Sequence, residues 1–188
     1  LLDRWDEAAI DSIRSHLEKR TWGVRVGAVD AGQAKQLREK GCDFIIFEAE
    51  TTQAGFLGLD GLGKVISVAN GLDQDAARAI NTLSIDASYF TDGEELKPFT
   101  VGKLITIGVV SGLLDSPLVM AVPEDLSAAE LEAIRDVGVA GLIVQVSSLD
   151  AVAGTRQAIE GLPPREPRAR RRDALIPQTG ESESVEDD

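Results

Sequence analysis

The sequence predicts an α/β protein in which a parallel sheet is arranged as in a (β/α)8 barrel. Short apolar runs recur roughly every twenty to thirty residues, and each is followed by a stretch with helical periodicity. Parallel strands need a crossover of about a dozen residues or more, so these intervening stretches fit helical crossovers and not hairpin turns. The predicted strands are residues 24–29, 43–48, 64–68, 84–89, 118–122 and 141–146.

Helix start and stop signals separate these strands. Ser127 and Glu130 form the clearest start signal, a capping box, and Gly41 suits a left-handed helix end. Residues 100–114 have the isoleucine and valine content of a strand, but their length favours a helix. The predicted helices are residues 3–18, 31–40, 73–83, 100–114, 127–136 and 148–160.

Two architectures accept repeated β/α units, the open doubly wound sheet and the closed barrel. The short, even units favour the barrel, and no Gly-rich dinucleotide turn follows the first strand. Counted back from the last helix, the visible strands correspond to barrel strands three to eight. We therefore expect a (β/α)8-type barrel lacking its first two strands in this chain. Such a sheet has two open edges, which predicts a homo-oligomer or a missing N-terminal segment.

The composition changes abruptly after residue 162. Pro163 and Pro164 are followed by an arginine cluster and then by an acidic end at residues 181–188. A segment with so few large apolar residues cannot offset the entropy lost on ordering. The sequence thus predicts a partial barrel domain over residues 1–162 and a disordered charged tail over residues 163–188.

Composition and charge limit the partners and the location of the chain. The net charge of −13 argues against a nucleic-acid partner, since phosphate neutralisation needs a basic face. With one cysteine, Cys42, and one histidine, His16, an internal disulfide and Cys/His zinc sites are excluded. The longest apolar run, residues 104–114, is too short to span a bilayer, and no signal peptide opens the chain. We expect a cytoplasmic protein without a membrane partner.

The last two predicted units resemble those of the phosphate-binding TIM barrels, such as thiamin phosphate synthase and indole-glycerol-phosphate synthase. The resemblance covers residues 118–123, the helix 127–136 and residues 138–144. It implies that an anion binds in the turns after the last two strands. Glu124 and Asp125 in the first turn would repel a phosphate, whereas Ser147 and Ser148 precede a predicted helix and could bind an anion or cofactor group.

The strand 44–47 and the residues after it resemble the metal-binding strand of HpcH-type oxo-acid aldolases. In that family a Glu-Thr pair follows an apolar strand and a later Asp completes the site; here Glu48 and Thr51 follow the strand, and Asp86 lies two units on. The resemblance implies that Glu48 and Asp86 share one rim as catalytic and metal-binding residues, with Mg²⁺ or Mn²⁺ as the cofactor. The alternative is that Glu48 is a strand-end residue facing water.

Two classes of function remain open at this point. One is a small-molecule lyase or synthase that uses the carboxyl ends of the strands, on a phosphorylated or oxo-acid substrate. The other is a non-catalytic barrel, retained as a scaffold or regulatory subunit. Arg25, inside an otherwise apolar strand, pairs with Asp43 or Glu48 within the barrel, or else marks the strand start and reaches solvent.

Overall fold

A computed structural model describes residues 10, 20–92, 98–123, 125–144 and 149–164. Six strands and five α-helices alternate through these residues, confirming the predicted order. The strands are β1 (Gly23–Val26), β2 (Phe44–Phe47), β3 (Gly63–Val68), β4 (Ala87–Phe90), β5 (Leu118–Val122) and β6 (Val139–Val144). The helices are α1 (Ala31–Glu39), α2 (Gln74–Asn81), α3 (Val101–Leu113), α4 (Ala128–Asp136) and α5 (Leu149–Glu160).

The strands form one parallel sheet in the order β1-β2-β3-β4-β5-β6. Sequential parallel order means that every crossover runs in the same direction, and right-handed crossovers then place all the helices on one face. The arrangement confirms the partial barrel type. Within the described residues, β1 and β6 each pair on one side only.

The two faces of the sheet bury different clusters. The larger cluster joins the helix-covered face of the strands, including Ile45 and Met120, to helix residues such as Leu37 and Ile107. The smaller cluster contains Tyr89 and lies on the opposite, inward face. Alternate residues of a strand point to opposite faces, so these clusters assign each strand residue to the helix-covered or the inward side.

The segment 100–114, ambiguous between strand and helix, is helical. Thr100 caps α3 through its side-chain oxygen, which accepts from the N–H of Lys103. Ile107 and Val110 are buried against the sheet. The predicted capping box of α4 is also confirmed, because Ser127 accepts from the N–H of Glu130 while the Glu130 carboxylate accepts from the N–H of Ser127 (2.8 Å).

Two aspartates tie adjacent strands at their amino ends. Asp43, just before β2, accepts the N–H of Trp22 (2.8 Å) and donates its own N–H to the Trp22 carbonyl (2.9 Å). Asp86, just before β4, accepts the N–H of Lys64 (2.8 Å) and donates to the Lys64 carbonyl (2.9 Å). The same clamp thus fixes β1 to β2 and β3 to β4.

Hydrogen bonds also join the loops at the carboxyl ends of the same strand pairs, β1 with β2 and β3 with β4. After β2, the hydroxyl of Thr51 donates to the carbonyl of Gly27, and the N–H of Gln53 donates to the carbonyl of Val29 (3.1 Å). After β4, the carboxylate of Asp92 accepts from the N–H of Asn70 (2.9 Å). At the carboxyl ends of β1–β4, the loops are therefore hydrogen-bonded in two pairs.

Several predictions fall on residues that the structure does not describe. Of the predicted first helix only Ile10 is described; it is helical and 2% exposed, in the main core cluster. The predicted disordered tail lies outside the described residues beyond Pro164, as do Glu124, Ser147 and Ser148. Among the described helices, none has the length and apolar character needed to cross a bilayer.

Candidate functional site

The structure separates Glu48 from Asp86. Glu48 follows β2 directly and lies half-buried at the carboxyl end of the sheet. Asp86 precedes β4, so it lies at the amino end of the sheet. There its carboxylate accepts a hydrogen bond from the backbone N–H of Lys64. The prediction that these carboxylates share one rim is wrong. Within the residues that the structure describes, no three acidic, histidine or cysteine side chains gather as metal ligands.

Other acidic residues near the carboxyl ends of the strands have structural partners or face solvent. Asp30 caps α1, its carboxylate accepting from the N–H of Gln33 (2.8 Å). Glu50 is exposed, and Asp125 is exposed at the start of the turn before α4. Predicted anion binding at Ser147 and Ser148 stays a prediction, because both lie outside the described chain.

Polar side chains meet instead on the inward face. Arg25 alternates with Val24 and Val26, which belong to the helix-covered cluster, so Arg25 lies on the inward side of β1. Its guanidinium carbon lies 5.1 Å from the centroid of the Tyr89 ring. Tyr89 belongs to the inward cluster and is fully buried. This contact is a cation–π interaction.

The contact between Arg25 and Tyr89 also reports the curvature of the sheet. Arg25 is on β1 and Tyr89 on β4, three strands apart in the sheet. In a flat sheet that separation is about 14 Å. An arginine side chain reaches the ring because the sheet curls around its inward face, which therefore forms a concave wall.

Ser67 adds a hydroxyl to the same wall. It pairs in register with Tyr89 and alternates with Ile66 and Val68 of the helix-covered cluster, so it faces inward. The Ser67 hydroxyl oxygen is buried and has no hydrogen-bond partner among the described atoms. A buried hydroxyl without a partner is uncommon in folded proteins and is a position where a ligand or water accepts or donates a bond.

Phe44 packs on the inward face between two glycines of the neighbouring strands. A Cβ added to Gly23 would lie 2.4 Å from the Phe44 ring, and one added to Gly63 would lie 2.9 Å from the Phe44 Cβ. These glycines are needed because the ring fills the space above them. Phe44 thus covers the inward face between the first residues of β1 and β3.

Cys42 is buried in the main core cluster, with the helix-covered face of the sheet, and is not part of the concave wall. Its thiol donates to the carbonyl of Phe44 (3.2 Å), and burial raises the pKa of the Cys42 thiol to about 11. In this environment the thiol stays protonated and unreactive, so Cys42 acts as a small buried hydrophobe.

Arg25 stands out in the sequence as a charge in an apolar strand. Neither Ser67 nor the contact between Tyr89 and Arg25 was predicted. The signal for Ser67 was present, since it is the polar member of an apolar run and has the parity of an inward residue. The contact of Arg25 with Tyr89 could not be inferred, because it depends on the curl of the sheet and spans two intervening strands.

The sequence matches no family model, and the comparison with curated proteins finds no match. Solved structures do match. A structure described as native KDPGal is 16% identical with a TM-score of 0.52, and the match covers 84% of this chain and 75% of that one. A putative lyase/mutase from Burkholderia cenocepacia J2315 is 18% identical with a TM-score of 0.52, over 82% of this chain and 70% of that one.

A third match is a cube-shaped, highly porous protein cage designed by fusing symmetric oligomeric domains. It is 14% identical with a TM-score of 0.51, and the match covers 84% of this chain and 57% of the cage chain. At such low identity these similarities concern the fold, and they support the TIM-barrel type. The resemblance to thiamin phosphate synthase, indole-glycerol-phosphate synthase and HpcH-type aldolases stays a prediction.

Proposed function

We propose that this chain forms the substrate-binding wall of a TIM-barrel-type lyase or synthase acting on a small anionic substrate, an oxo acid or a phosphorylated molecule. The observation that carries the proposal is the guanidinium of Arg25, held 5.1 Å from the Tyr89 ring centroid on the concave face. The similarity to a putative lyase/mutase and to native KDPGal supports a lyase-type function.

Arginine in this position suits an anionic group. The planar guanidinium presents several N–H donors and binds carboxylate or phosphate with two parallel hydrogen bonds. Among the inward-facing residues of the described strands, Arg25 is the one with a positive charge. The Ser67 hydroxyl, beside Tyr89 in register, supplies a further hydrogen bond to the same substrate.

Glu48 is the proposed acid–base group. It lies at the carboxyl end of β2, two residues beyond the inward-facing Ile46. Catalytic side chains of TIM-barrel enzymes come from this end of the strands. A carboxylate there can remove a proton next to a substrate carbonyl, a step shared by many lyases and synthases. Asp86 is left out of this role because it lies at the opposite end.

A Schiff-base mechanism is not proposed for the described residues. Lys64, the lysine within a described strand, has the parity of Ile66 on the helix-covered face and lies near the amino end of β3. Its amine is therefore directed away from the concave wall. Lys35, Lys40 and Lys103 belong to helices or their ends.

The second candidate is a non-catalytic barrel that serves as a scaffold or regulatory subunit. The observation that favours it is the position of Asp86 at the amino end of the sheet, because Glu48 then lacks the predicted carboxylate partner. A scaffold has no need of a bound substrate, so ligand binding at Arg25 distinguishes the two candidates.

The proposal is tested by ligand-induced thermal stabilisation of the full chain. Pyruvate, 2-oxoglutarate, inorganic phosphate and simple phosphate esters are titrated separately, and the affinity of any that stabilises is measured by calorimetry. A ligand that binds only the folded state raises the melting temperature in a saturable way. We expect at least one of these anions to do so.

Two variants locate the binding. Arg25→Gln removes the charge and should lower the affinity at least tenfold, whereas Arg78→Gln removes an exposed arginine paired with Asp75 on α2 and should change nothing. If no anion of the panel binds, or if binding survives Arg25→Gln, the substrate-wall proposal is wrong and the scaffold candidate takes its place.

A further inference from the structure

We propose that the outer face of α3 is a homodimerisation surface, on which a second copy of this chain packs its own α3. Val101, Ile105 and Val109 are 72%, 63% and 56% exposed. They follow one another at intervals of four residues, which places them in one stripe along the helix. Gly102 and Gly112 are the other exposed residues of α3, so the exposed residues of this helix are all aliphatic or glycine; the half-exposed Thr106, whose hydroxyl donates to the carbonyl of Gly102 (3.2 Å), borders them.

A fourth exposed apolar side chain lies just beyond the end of α2, the helix that neighbours α3. The two helices pack side by side, and the Asn81 side chain donates to the carbonyl of Leu113 (3.0 Å) at the end of α3. Leu83, two residues beyond Asn81, is 42% exposed. Four of the five large apolar side chains that are exposed in the described chain therefore belong to α3 or to the end of α2 beside it. Val101, Ile105 and Val109 share one face of α3 and form a contiguous apolar stripe, and contiguous exposed apolar surface marks an interaction site whereas scattered apolar residues do not.

The apolar character of the outer face of α3 is not explained by packing within a single chain. Ile107 and Val110 are the residues of α3 that are buried against the sheet, and Ser111 bonds the carbonyl of Gly138 (3.1 Å). A Cβ on Gly112 would meet nothing within 4 Å. Glycine and β-branched residues are weaker helix formers than alanine, lysine or glutamate, so a helix whose outer face met only water would be better served by those residues.

The charge pattern favours a second copy as the occupant. The whole sequence is 27% charged with a net charge of −13, yet the exposed residues of α3 include no charge. A charged partner would lose hydration here without gaining an opposite charge. The outer face of α3 on another copy is equally free of charge. The arginine-rich and acidic segment 165–188 of this chain is a poor match by the same argument.

Two-fold symmetry makes the stripe complementary to itself. With the symmetry axis at Ile105, the two helices run antiparallel, Ile105 meets Ile105 of the second copy, and Val101 meets its Val109. Gly102 and Gly112 near the helix ends let the backbones approach closely. A helix of 13 residues is about 20 Å long, so the interface is at the small end of specific interfaces and the dimer should depend on concentration.

The test is sedimentation equilibrium of the full chain at several concentrations. We expect a monomer–dimer equilibrium whose dissociation constant rises at least tenfold in Ile105→Glu and in Ile105→Lys, because like charges then meet at the axis. An equimolar mixture of these two variants should recover dimerisation, since opposite charges meet in the mixed dimer. This recovery is specific to a two-fold contact of residue 105 with itself.

Ile159→Glu is the matched control, because it makes the same substitution at a 42% exposed position on α5, away from the stripe. It should leave the dissociation constant unchanged. Gly112→Ala is a milder variant that preserves the helix and should still weaken the dimer. A wild-type chain that stays monomeric throughout, or a dimer whose dissociation constant is unchanged in Ile105→Glu, overturns the proposal; the latter result would assign self-association to the edges of β1 and β6, which have no partner strand within the described residues.

Discussion

The carboxylate of Asp86 accepts the N–H of Lys64 at 2.8 Å, and the N–H of Asp86 donates to the carbonyl of Lys64 at 2.9 Å. This pair closes the amino ends of β3 and β4. A carboxylate used in this way orients the backbone and is not available to a ligand at the carboxyl ends of the strands. Asp86 is thus a structural residue, and its substitution should affect stability more than ligand binding.

We expect Asp86→Ala to lower the free energy of unfolding by about 1 kcal/mol, because the N–H of Lys64 loses its acceptor. Asp86→Asn keeps a side-chain oxygen and should cost less. Urea denaturation measures both, with Asp75→Ala as a control, since the ion pair of Asp75 with Arg78 is exposed. Unchanged stability in Asp86→Ala would mean that the clamp does not hold the strands.

We expect Mg²⁺ or Mn²⁺ alone to leave the melting temperature unchanged. Glu48 and Asp86 lie at opposite ends of the sheet, so they cannot ligate the same ion. Thermal unfolding across a titration of each metal chloride is the measurement. A saturable rise that disappears in Glu48→Gln would contradict this prediction and restore a metal-binding role for Glu48.

The Cys42 thiol should resist alkylation in the folded protein, because burial raises its pKa to about 11. Its modification by iodoacetamide should accelerate sharply once urea unfolds the chain. The raised pKa also predicts that stability falls between pH 9.0 and about 11, where the thiol ionises in the unfolded chain but not in the folded one. Cys42→Ala should lose this part of the pH dependence; rapid modification at neutral pH without denaturant would show that the thiol is accessible.

Deleting residues 165–188 should leave the melting temperature within a few degrees of the full-length value, because the segment offers no periodic apolar face. Deletion from Pro163 onward should cost more, since the Arg135 guanidinium donates to the carbonyl of Pro163. Comparing the two truncations by thermal unfolding isolates this contact. A large loss in the shorter deletion would show that the tail packs on the domain.

The fold was predictable because each element carries its own local signal. The 118–122 strand was predicted with the bounds observed for β5, and α4 begins at its predicted cap. The error that mattered was at β4, predicted as 84–89 but observed as Ala87–Phe90. Ile85 resembles a strand residue, yet it packs against the main core from the segment before the strand. That shift moves Asp86 from within the strand to the position before it.

The candidate site was less predictable than the fold, because it depends on curvature. Arg25 was noticeable as a charge in an apolar strand, and alternation alone places it on one face of β1. Its contact with Tyr89 depends on how tightly the sheet curls across β2 and β3, which local sequence does not encode. That curl spans four strands and is not a property of any one segment.

The repeated clamps divide β1–β4 into two equivalent units. Asp43 bonds Trp22 over a separation of 21 residues and Asp86 bonds Lys64 over 22, each at the amino ends of a strand pair, while the loops at the carboxyl ends are braced within the same pairs. Each strand–helix–strand unit therefore carries the hydrogen bonds that set its own register.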